Sequence, residues 1–77
     1  MNETEYTLTG PFGSYTIAVI PDSTERTFIV TTYNGENDEG KTNFGYSFGH
    51  RSHEKAIKAG IEQIFDYETL VTFAEAA

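Results

Sequence analysis

The chain has 77 residues, and its twelve acidic and five basic side chains give a formal net charge of −7 at neutral pH. This charge argues against non-specific binding to DNA, RNA or an anionic membrane, and it favours solubility or attraction to a basic partner surface. Because cysteine is absent, disulfides and cysteine-based metal sites are excluded, and five tyrosines and six phenylalanines must supply much of the core.

The first half of the chain predicts three β-strands. In residues 6–9 apolar side chains alternate with threonines before the turn residues Gly10 and Pro11. The segments 14–20 and 26–33 are rich in β-branched and aromatic residues. In these two segments apolar side chains fall on both faces of the expected strand.

Residues 34–40 predict an acidic loop. Asn34 and Gly35 would suit a two-residue hairpin turn, but the Glu-Asn-Asp-Glu run that follows is poor strand material. Calcium binding is not expected, because the glycine and the distal glutamate of a calcium loop are misplaced. The acidic side chains are therefore either solvated or presented to a partner.

The clearest pattern lies in residues 41–65, where an aromatic strand leads into a helix. Phe44, Tyr46 and Phe48 alternate with small or polar residues, which is the period of a strand with one apolar face. Gly49 can adopt backbone angles that are closed to other residues, so the chain is expected to leave the sheet there.

The helix is predicted to begin after Ser52, whose hydroxyl can cap the first turn, and to cover residues 53–65. Its apolar side chains lie on one side at helical spacing. Gly60 falls on that side and indicates that the helix backbone approaches the sheet closely.

The tail, residues 67–77, fits two conformations. Thr69, Val71 and Thr72 favour a strand, whereas the apolar residues of the tail also recur at helical spacing. We expect a short additional strand.

Together these elements predict one α+β domain over residues 1–77. It is a small antiparallel meander of three to five strands with one amphipathic helix packed across one face. Since one helix covers only one face of a sheet, the apolar side chains on the other face must be covered by the tail, by a second copy or by a partner. This surplus of apolar surface indicates a binding role.

Two patterns invite a catalytic or metal site. Residues 45–49 match the G-x-S-x-G motif of a hydrolase nucleophile elbow, and two histidines and an aspartate follow it. That elbow belongs to a large, mostly parallel sheet, so Ser47 is expected to be an ordinary strand serine. His50, His53 and Glu54 could begin a metal site, but no further ligand completes it. We therefore expect no catalytic residue, no metal and no cofactor.

Three basic side chains near the predicted start of the helix, Arg51, Lys55 and Lys58, form an alternative anion-binding site. With the positive end of the helix dipole they could hold a phosphate or carboxylate, and neighbouring aromatic side chains could stack on single-stranded nucleic acid. The opposing interpretation is a solvated helix face, which the net charge of −7 favours.

In size, acidity and single-domain character the chain resembles the small inhibitors encoded by phages and mobile elements, including anti-CRISPR proteins. The resemblance implies a non-enzymatic protein that blocks a nucleic-acid-binding surface with carboxylates and aromatic side chains, in the cytoplasm of a host cell. A fainter similarity is to small antitoxin-like domains in which three strands lead into a helix. Neither resemblance assigns a function to an individual residue.

We therefore expect a protein-binding inhibitor or adaptor whose partner has a basic, nucleic-acid-binding surface. The expected contact residues are loop carboxylates and exposed aromatics: Tyr33, Glu36, Asp38, Glu39 and Tyr46. The alternatives are an anion or nucleic-acid binder that uses the basic site, and a self-associating subunit such as a homodimer. No apolar run is long enough for a membrane span or a signal-peptide core, so the protein is expected in the cytoplasm.

Overall fold

The computed structural model describes residues 3–11, 13–35 and 42–76, with residues 73, 75 and 76 described for their backbone only. The chain forms four strands and a helix: β1 (Thr4–Gly10), β2 (Gly13–Asp22), β3 (Thr27–Asn34), β4 (Thr42–His50) and α1 (His53–Ala76). The strands form one open sheet in the order β1-β2-β3-β4, and every neighbouring pair is antiparallel. The predicted α+β meander is confirmed.

Local chemistry explains where the first two hairpins turn. Gly10 pairs with Gly13, which has a φ of 129° that favours glycine, and this pair closes the turn between β1 and β2. In the turn between β2 and β3, one carboxylate oxygen of Asp22 accepts the backbone N–H groups of Thr24 and Glu25 at 3.1 and 3.2 Å. The side chain thereby mimics a backbone turn.

The connection between β3 and β4 joins the paired residues Asn34 and Thr42. The backbone N–H of Gly35 donates to the carbonyl oxygen of Ser14 at 2.8 Å, which keeps the end of β3 beside β2. The acidic part of the predicted 34–40 loop, including Glu36, Asp38 and Glu39, lies outside the described residues.

The predicted start of the helix is confirmed. Gly49 has a φ of 80°, and the strand ends at the next residue. The Ser52 hydroxyl accepts the N–H of Lys55 at 3.1 Å, and the Ser52 carbonyl oxygen accepts the N–H of Ala56 at 3.0 Å. Ser52 is therefore the N-cap, as the sequence predicts.

The expectation of a strand in the tail is wrong, because residues 67–76 continue α1 to a total of 24 residues, about 36 Å long. Tyr67 stacks on Phe44 with ring centroids 4.4 Å apart, and Glu68 accepts a hydrogen bond from Tyr15. These contacts need helical spacing, and they outweigh the strand preference of the tail threonines. The hydroxyls of Thr69 and Thr72 donate to carbonyl oxygens four residues earlier, a bond that suits threonine in a helix.

The core lies between α1 and one face of the sheet, which we call the helix-covered face. One of its cross-strand rows runs from Tyr6 through Ile17 and Thr32 to Gly45. Gly60 is buried against this face, and a β-carbon at that position would lie 2.7 Å from Ile17 Cγ2. The predicted close approach of helix and sheet is confirmed. The buried apolar residues of the core are Tyr15, Ile17, Val19, Val30, Ala56 and Ile64.

The opposite face, which we call the open face, is covered by no other element of the described residues. Its central cross-strand row runs from Glu5 through Ala18 and Thr31 to Tyr46. The tail does not cover this face, since it belongs to α1. Its principal residues are Glu5, Thr16, Ala18, Ile20, Ile29, Thr31, Tyr33, Tyr46 and Phe48.

Candidate protein-interaction surface

The open face carries two exposed aromatic side chains on the edge strand β4. Tyr46 and Phe48 are 59% and 72% exposed, and their ring centroids are 6.0 Å apart. They lie two residues apart on one strand and therefore point to the same side, whereas Ser47 between them points to the helix. Folded domains usually bury such rings, so this pair is available for contact with another molecule.

The centre of the open face is made of small side chains that are nevertheless buried. Thr16 and Ala18 are each 1% exposed, and the Thr16 hydroxyl donates to the carbonyl oxygen of Gly35 at 2.7 Å. Thr31 is 9% exposed, and its hydroxyl oxygen is buried without a hydrogen-bond partner among the described residues. An unsatisfied buried hydroxyl costs about 1–3 kcal/mol. Tyr46 is the direct cross-strand neighbour of Thr31.

Tyr33 also lies on the open face, where it pairs with Thr16 on β2 and with Asn43 on β4. Its side chain is half-buried, whereas the sequence predicts an exposed side chain at this position. Tyr46 is exposed as expected. The other three expected contact residues, Glu36, Asp38 and Glu39, lie in the part of the chain that the structure does not describe.

Carboxylates border the aromatic pair. A groove of about 390 Å³ at one end of the sheet is lined by Asp22, Glu25, Thr27, Phe48 and Gly49. At the far edge strand, exposed Glu5 ends the cross-strand row that begins at Tyr46. The open face therefore combines an aromatic contact area with carboxylates at its margins, and Arg26 and Arg51 adjoin the carboxylates at the Phe48 end.

The G-x-S-x-G segment takes part in a hydrogen-bond network between the helix and the sheet. Ser47 Oγ lies 2.7 Å from His50 Nε2, and the Gln63 side-chain amide donates to the same Oγ at 3.0 Å. The Thr32 hydroxyl in turn donates to Gln63 Oε1 at 2.9 Å. The absence of a side chain at Gly45 makes room for this bond, because a β-carbon there would collide with both Thr32 Oγ1 and Gln63 Oε1.

This network lacks the third member of a catalytic triad. Among the described side chains no carboxylate hydrogen-bonds either histidine, and Asp66, the acid that follows the motif in sequence, is exposed on the helix. Neither Gln63 nor Thr32 was identified from the sequence. Their pairing joins residues 31 positions apart, and no local pattern marks it.

His53 is held by aromatic packing. Its Nε2 lies 2.6 Å from the hydroxyl of Tyr6, and its ring makes edge contacts with Tyr6 and Phe28 at centroid distances of 5.8 and 5.6 Å. Within residues 3–11, 13–35 and 42–76, no group of three or more histidine, aspartate or glutamate side chains could hold a metal ion.

An apolar groove of about 290 Å³ separates β1 from the middle of the helix, with Leu8, Tyr15, Phe65 and Glu68 among its lining residues. At its base the Tyr15 hydroxyl donates to Glu68 Oε2 at 3.0 Å. Burial, the hydrogen bond to Glu68 and the negative charge of Glu68 raise the pKa of Tyr15 to about 12. Tyr15 is therefore a neutral donor that orients the Glu68 carboxylate.

The three basic residues of the alternative anion site are all exposed. Arg51 lies in the corner between β4 and α1, and Lys55 and Lys58 lie on the first two turns of the helix. Arg51 lines a polar groove with Arg26, and neither lysine lines it. Arg26 was not identified from the sequence, because β3 and β4 separate it from Arg51 along the chain.

Comparisons with protein-family models, with curated proteins and with solved structures find no match for this chain. The described part of the chain contains no helix whose length and apolar character would allow it to cross a membrane. The function is therefore inferred from the geometry of the surface itself.

Proposed function

We propose that the protein is a non-enzymatic binding module, an inhibitor or adaptor, that docks its open face onto a basic surface of a partner protein. The observation that carries this proposal is the exposed pair Tyr46 and Phe48 on the face that the helix leaves uncovered. Tyrosine and phenylalanine are enriched at protein interfaces, where a few aromatic anchors provide most of the binding energy.

The rigidity of the surface supports the same role. Both rings project from a strand of the four-stranded sheet, so strand pairing holds their backbone in place before a partner binds. Preorganised surfaces lose less conformational entropy when they associate, and more of the contact energy appears as affinity. A small adaptor or inhibitor would gain affinity from this smaller loss of conformational entropy.

Charge complementarity selects the partner. Asp22 and Glu25 line the groove beside Phe48, Glu5 lies at the opposite margin, and the whole chain carries a net charge of −7. A second copy would bring two such charges face to face, whereas a basic protein would be attracted and steered to the surface. We assign the surface to a basic partner for this reason.

The finer proposal is that the partner surface normally binds nucleic acid, which the protein would block in the manner of an anti-CRISPR-like nucleic-acid mimic. A surface that binds phosphates is basic, and carboxylates spaced around aromatic rings can occupy it. The loop residues Glu36, Asp38 and Glu39 would supply further carboxylates for contact with the partner.

The test begins with capture of host proteins by the tagged protein, followed by affinity measurement with the purified partner. Phe48→Thr should weaken binding at least tenfold, because an aromatic anchor is removed while a β-branched strand residue remains. The matched control is Phe65→Gln, which removes a ring that is 65% exposed on the helix. Equal effects of the two substitutions, or an acidic partner, would refute the docking surface.

A second arm tests the charge. Replacing Glu36, Asp38 and Glu39 together with glutamine or asparagine should preserve folding, weaken the affinity and reduce its salt dependence. If the affinity is unchanged, the nucleic-acid-mimic proposal fails even if the aromatic surface stands. If Phe48→Thr instead abolishes a concentration-dependent dimer of the protein alone, the open face belongs to a second copy.

A further inference from the structure

We infer that the polar groove beside the turn between β2 and β3 is a binding site for a protonated phosphate group, either inorganic phosphate or a terminal phosphate monoester. The groove has a volume of about 510 Å³ and is lined by Glu25, Arg26, Thr27, Gly49 and Arg51. The groove shares Glu25, Thr27 and Gly49 with the groove beside Phe48, but the inferred ligand is a small anion and not a partner protein.

The register of the sheet brings the two arginines together. Phe28 near the start of β3 pairs with His50 at the end of β4, so the residues that flank this pair meet at one end of the sheet. Arg26 precedes β3 in the turn, and Arg51 follows β4 in the corner before the helix. Two of the five basic residues of an acidic chain thus face one groove.

Neither guanidinium is neutralised by another described residue. Both arginines are exposed, and no carboxylate in the described ranges forms an ion pair with either. Glu25 lines the same groove, so two positive charges and one negative charge surround the space. Guanidinium groups bind tetrahedral oxyanions through paired N–H donors, which gives a phosphate several charge-assisted hydrogen bonds.

The backbone of Arg26 indicates that the arginine is not there to stabilise the turn. Its φ of 57° lies in the left-handed region, where a residue with a side chain costs about 1–2 kcal/mol and glycine or asparagine is preferred. The Asp22 carboxylate already holds the turn through the N–H groups of Thr24 and Glu25. Residues held in such conformations cluster at functional sites, and here the side chain contributes to the groove.

Glu25 sets the protonation state of the ligand. A carboxylate repels a fully ionised oxyanion, but it accepts a hydrogen bond from an oxyanion that retains a proton. Phosphate monoesters retain such a proton below their second pKa of about 6, and inorganic phosphate, whose second pKa is higher, retains one there as well, whereas sulfate and phosphodiesters have none near neutral pH. The groove should therefore prefer phosphate to sulfate, and a terminal phosphate to the backbone of a nucleic acid.

The test is a titration of the full chain with inorganic phosphate and with sulfate at a pH of about 6, where inorganic phosphate retains a proton, followed by backbone and arginine NMR shifts. We expect saturable shifts at Thr27, Gly49 and Arg51, and at least tenfold tighter binding of phosphate than of sulfate. Glu25→Gln should remove this preference. Equal affinities for the two anions in the unaltered protein would overturn the assignment.

Arg26→Gly separates binding from folding. It should weaken phosphate binding at least tenfold while leaving the melting temperature unchanged or higher, because glycine suits the backbone of the turn. Lys58→Gln removes one positive charge from the helix outside the groove and should leave the affinity unchanged. Retained binding in Arg26→Gly, or an equal loss in Lys58→Gln, would refute the groove as the site. Arg51→Gln provides the second loss-of-binding variant.

The source of the phosphate is distinguished with two short single-stranded oligonucleotides that differ only in a 5′-phosphate or a 5′-hydroxyl. Tighter binding of the phosphorylated strand, with shifts at the groove, assigns the site to terminal monoesters. Binding of inorganic phosphate alone assigns it to the free anion. Equal binding of both strands through the groove would mean recognition of phosphodiesters and would overturn the proposed dependence on a protonated ligand.

Discussion

The two faces of the sheet are equally buried at their centre but differ in how their polar groups are satisfied. On β2, Ile17 and Val19 on the helix-covered face and Thr16 and Ala18 on the open face are all at most 1% exposed. On the helix-covered face Thr32 hydrogen-bonds Gln63, whereas the Thr31 hydroxyl on the open face has no partner among the described residues.

This comparison shows that both faces of a central strand can be buried when only one face is covered by a helix. Small side chains in the middle of a sheet are screened by larger neighbours on the flanking strands, while large ones need the helix. What remains uncovered is the edge strand, where Tyr46 and Phe48 are exposed. The large side chains of the helix-covered face are buried by the helix of the same chain. The open face has the features of a surface that contacts a partner.

The largest expected change in the free energy of unfolding is seen when one isoleucine is replaced on each face and the two losses are compared. Ile17→Ala should lower the free energy of unfolding by about 3–4 kcal/mol, because it creates a cavity at a fully buried site. Ile29→Ala, at a half-buried site on the open face, should lower it by about 1 kcal/mol or less. Urea denaturation of both variants measures the contrast. Similar losses would show that the open face is also covered.

The close approach of helix and sheet predicts the next largest effect. Gly60→Val should lower the free energy of unfolding by about 2–3 kcal/mol, because the new side chain overlaps Ile17 in the core. Ala59→Val, on the half-buried flank of the same helix, introduces the same β-branched residue and should cost less than about 1 kcal/mol. If the two variants were equally stable in thermal and urea denaturation, the close contact at Gly60 would be disproved.

The burial of Tyr15, together with its hydrogen bond to Glu68, predicts a pH dependence of folding. The folded-state pKa of Tyr15 is about 12 and its ordinary value is 10.0, so the folded state holds the phenol proton more tightly. This stabilisation is fully present below pH 10 and is lost as the pH rises through 12, because the unfolded chain releases its proton first.

Unfolding free energies measured across this pH range give the test. Tyr15→Phe should cost about 1 kcal/mol at neutral pH, since Glu68 loses its donor, and it should remove the contribution of Tyr15 to the alkaline slope. An unchanged alkaline slope in Tyr15→Phe would show that Tyr15 does not carry this dependence.

The smallest expected changes in the free energy of unfolding come from replacing one buried threonine on each face, and the two changes have opposite signs. Thr31→Val should raise the free energy of unfolding by about 1 kcal/mol, because it removes an unsatisfied hydroxyl and keeps the shape of the side chain. Thr32→Val should lower it by about 1 kcal/mol, because Gln63 loses its hydrogen-bond donor. Denaturation of both variants measures the two changes, and the same sign in both would contradict the assignment of hydrogen bonds to the two faces.

The elements that could be predicted from the sequence are those whose signals are local. Alternation of side chains defines the strands, Gly49 and Ser52 define the corner and the helix cap, and Gly60 marks the packed side of the helix. Each of these signals depends on residues within a few positions of one another, and local steric and hydrogen-bond preferences decide them.

The expectation that Phe44, Tyr46 and Phe48 share one face is wrong. A register irregularity between the pairs Thr32–Gly45 and Tyr33–Asn43 places Phe44 against the helix and leaves Tyr46 on the open face, which alternation alone does not predict.

The remaining features depend on contacts between distant parts of the chain. The tail became helix because Tyr67 and Glu68 reach Phe44 and Tyr15, contacts that outweigh the local preference for a strand. The groove with Arg26 and Arg51 exists because strand register places the ends of β3 and β4 side by side. The physical reason is the same in each case: interactions between residues distant in sequence are set by register and packing, and no local pattern in one sequence encodes them.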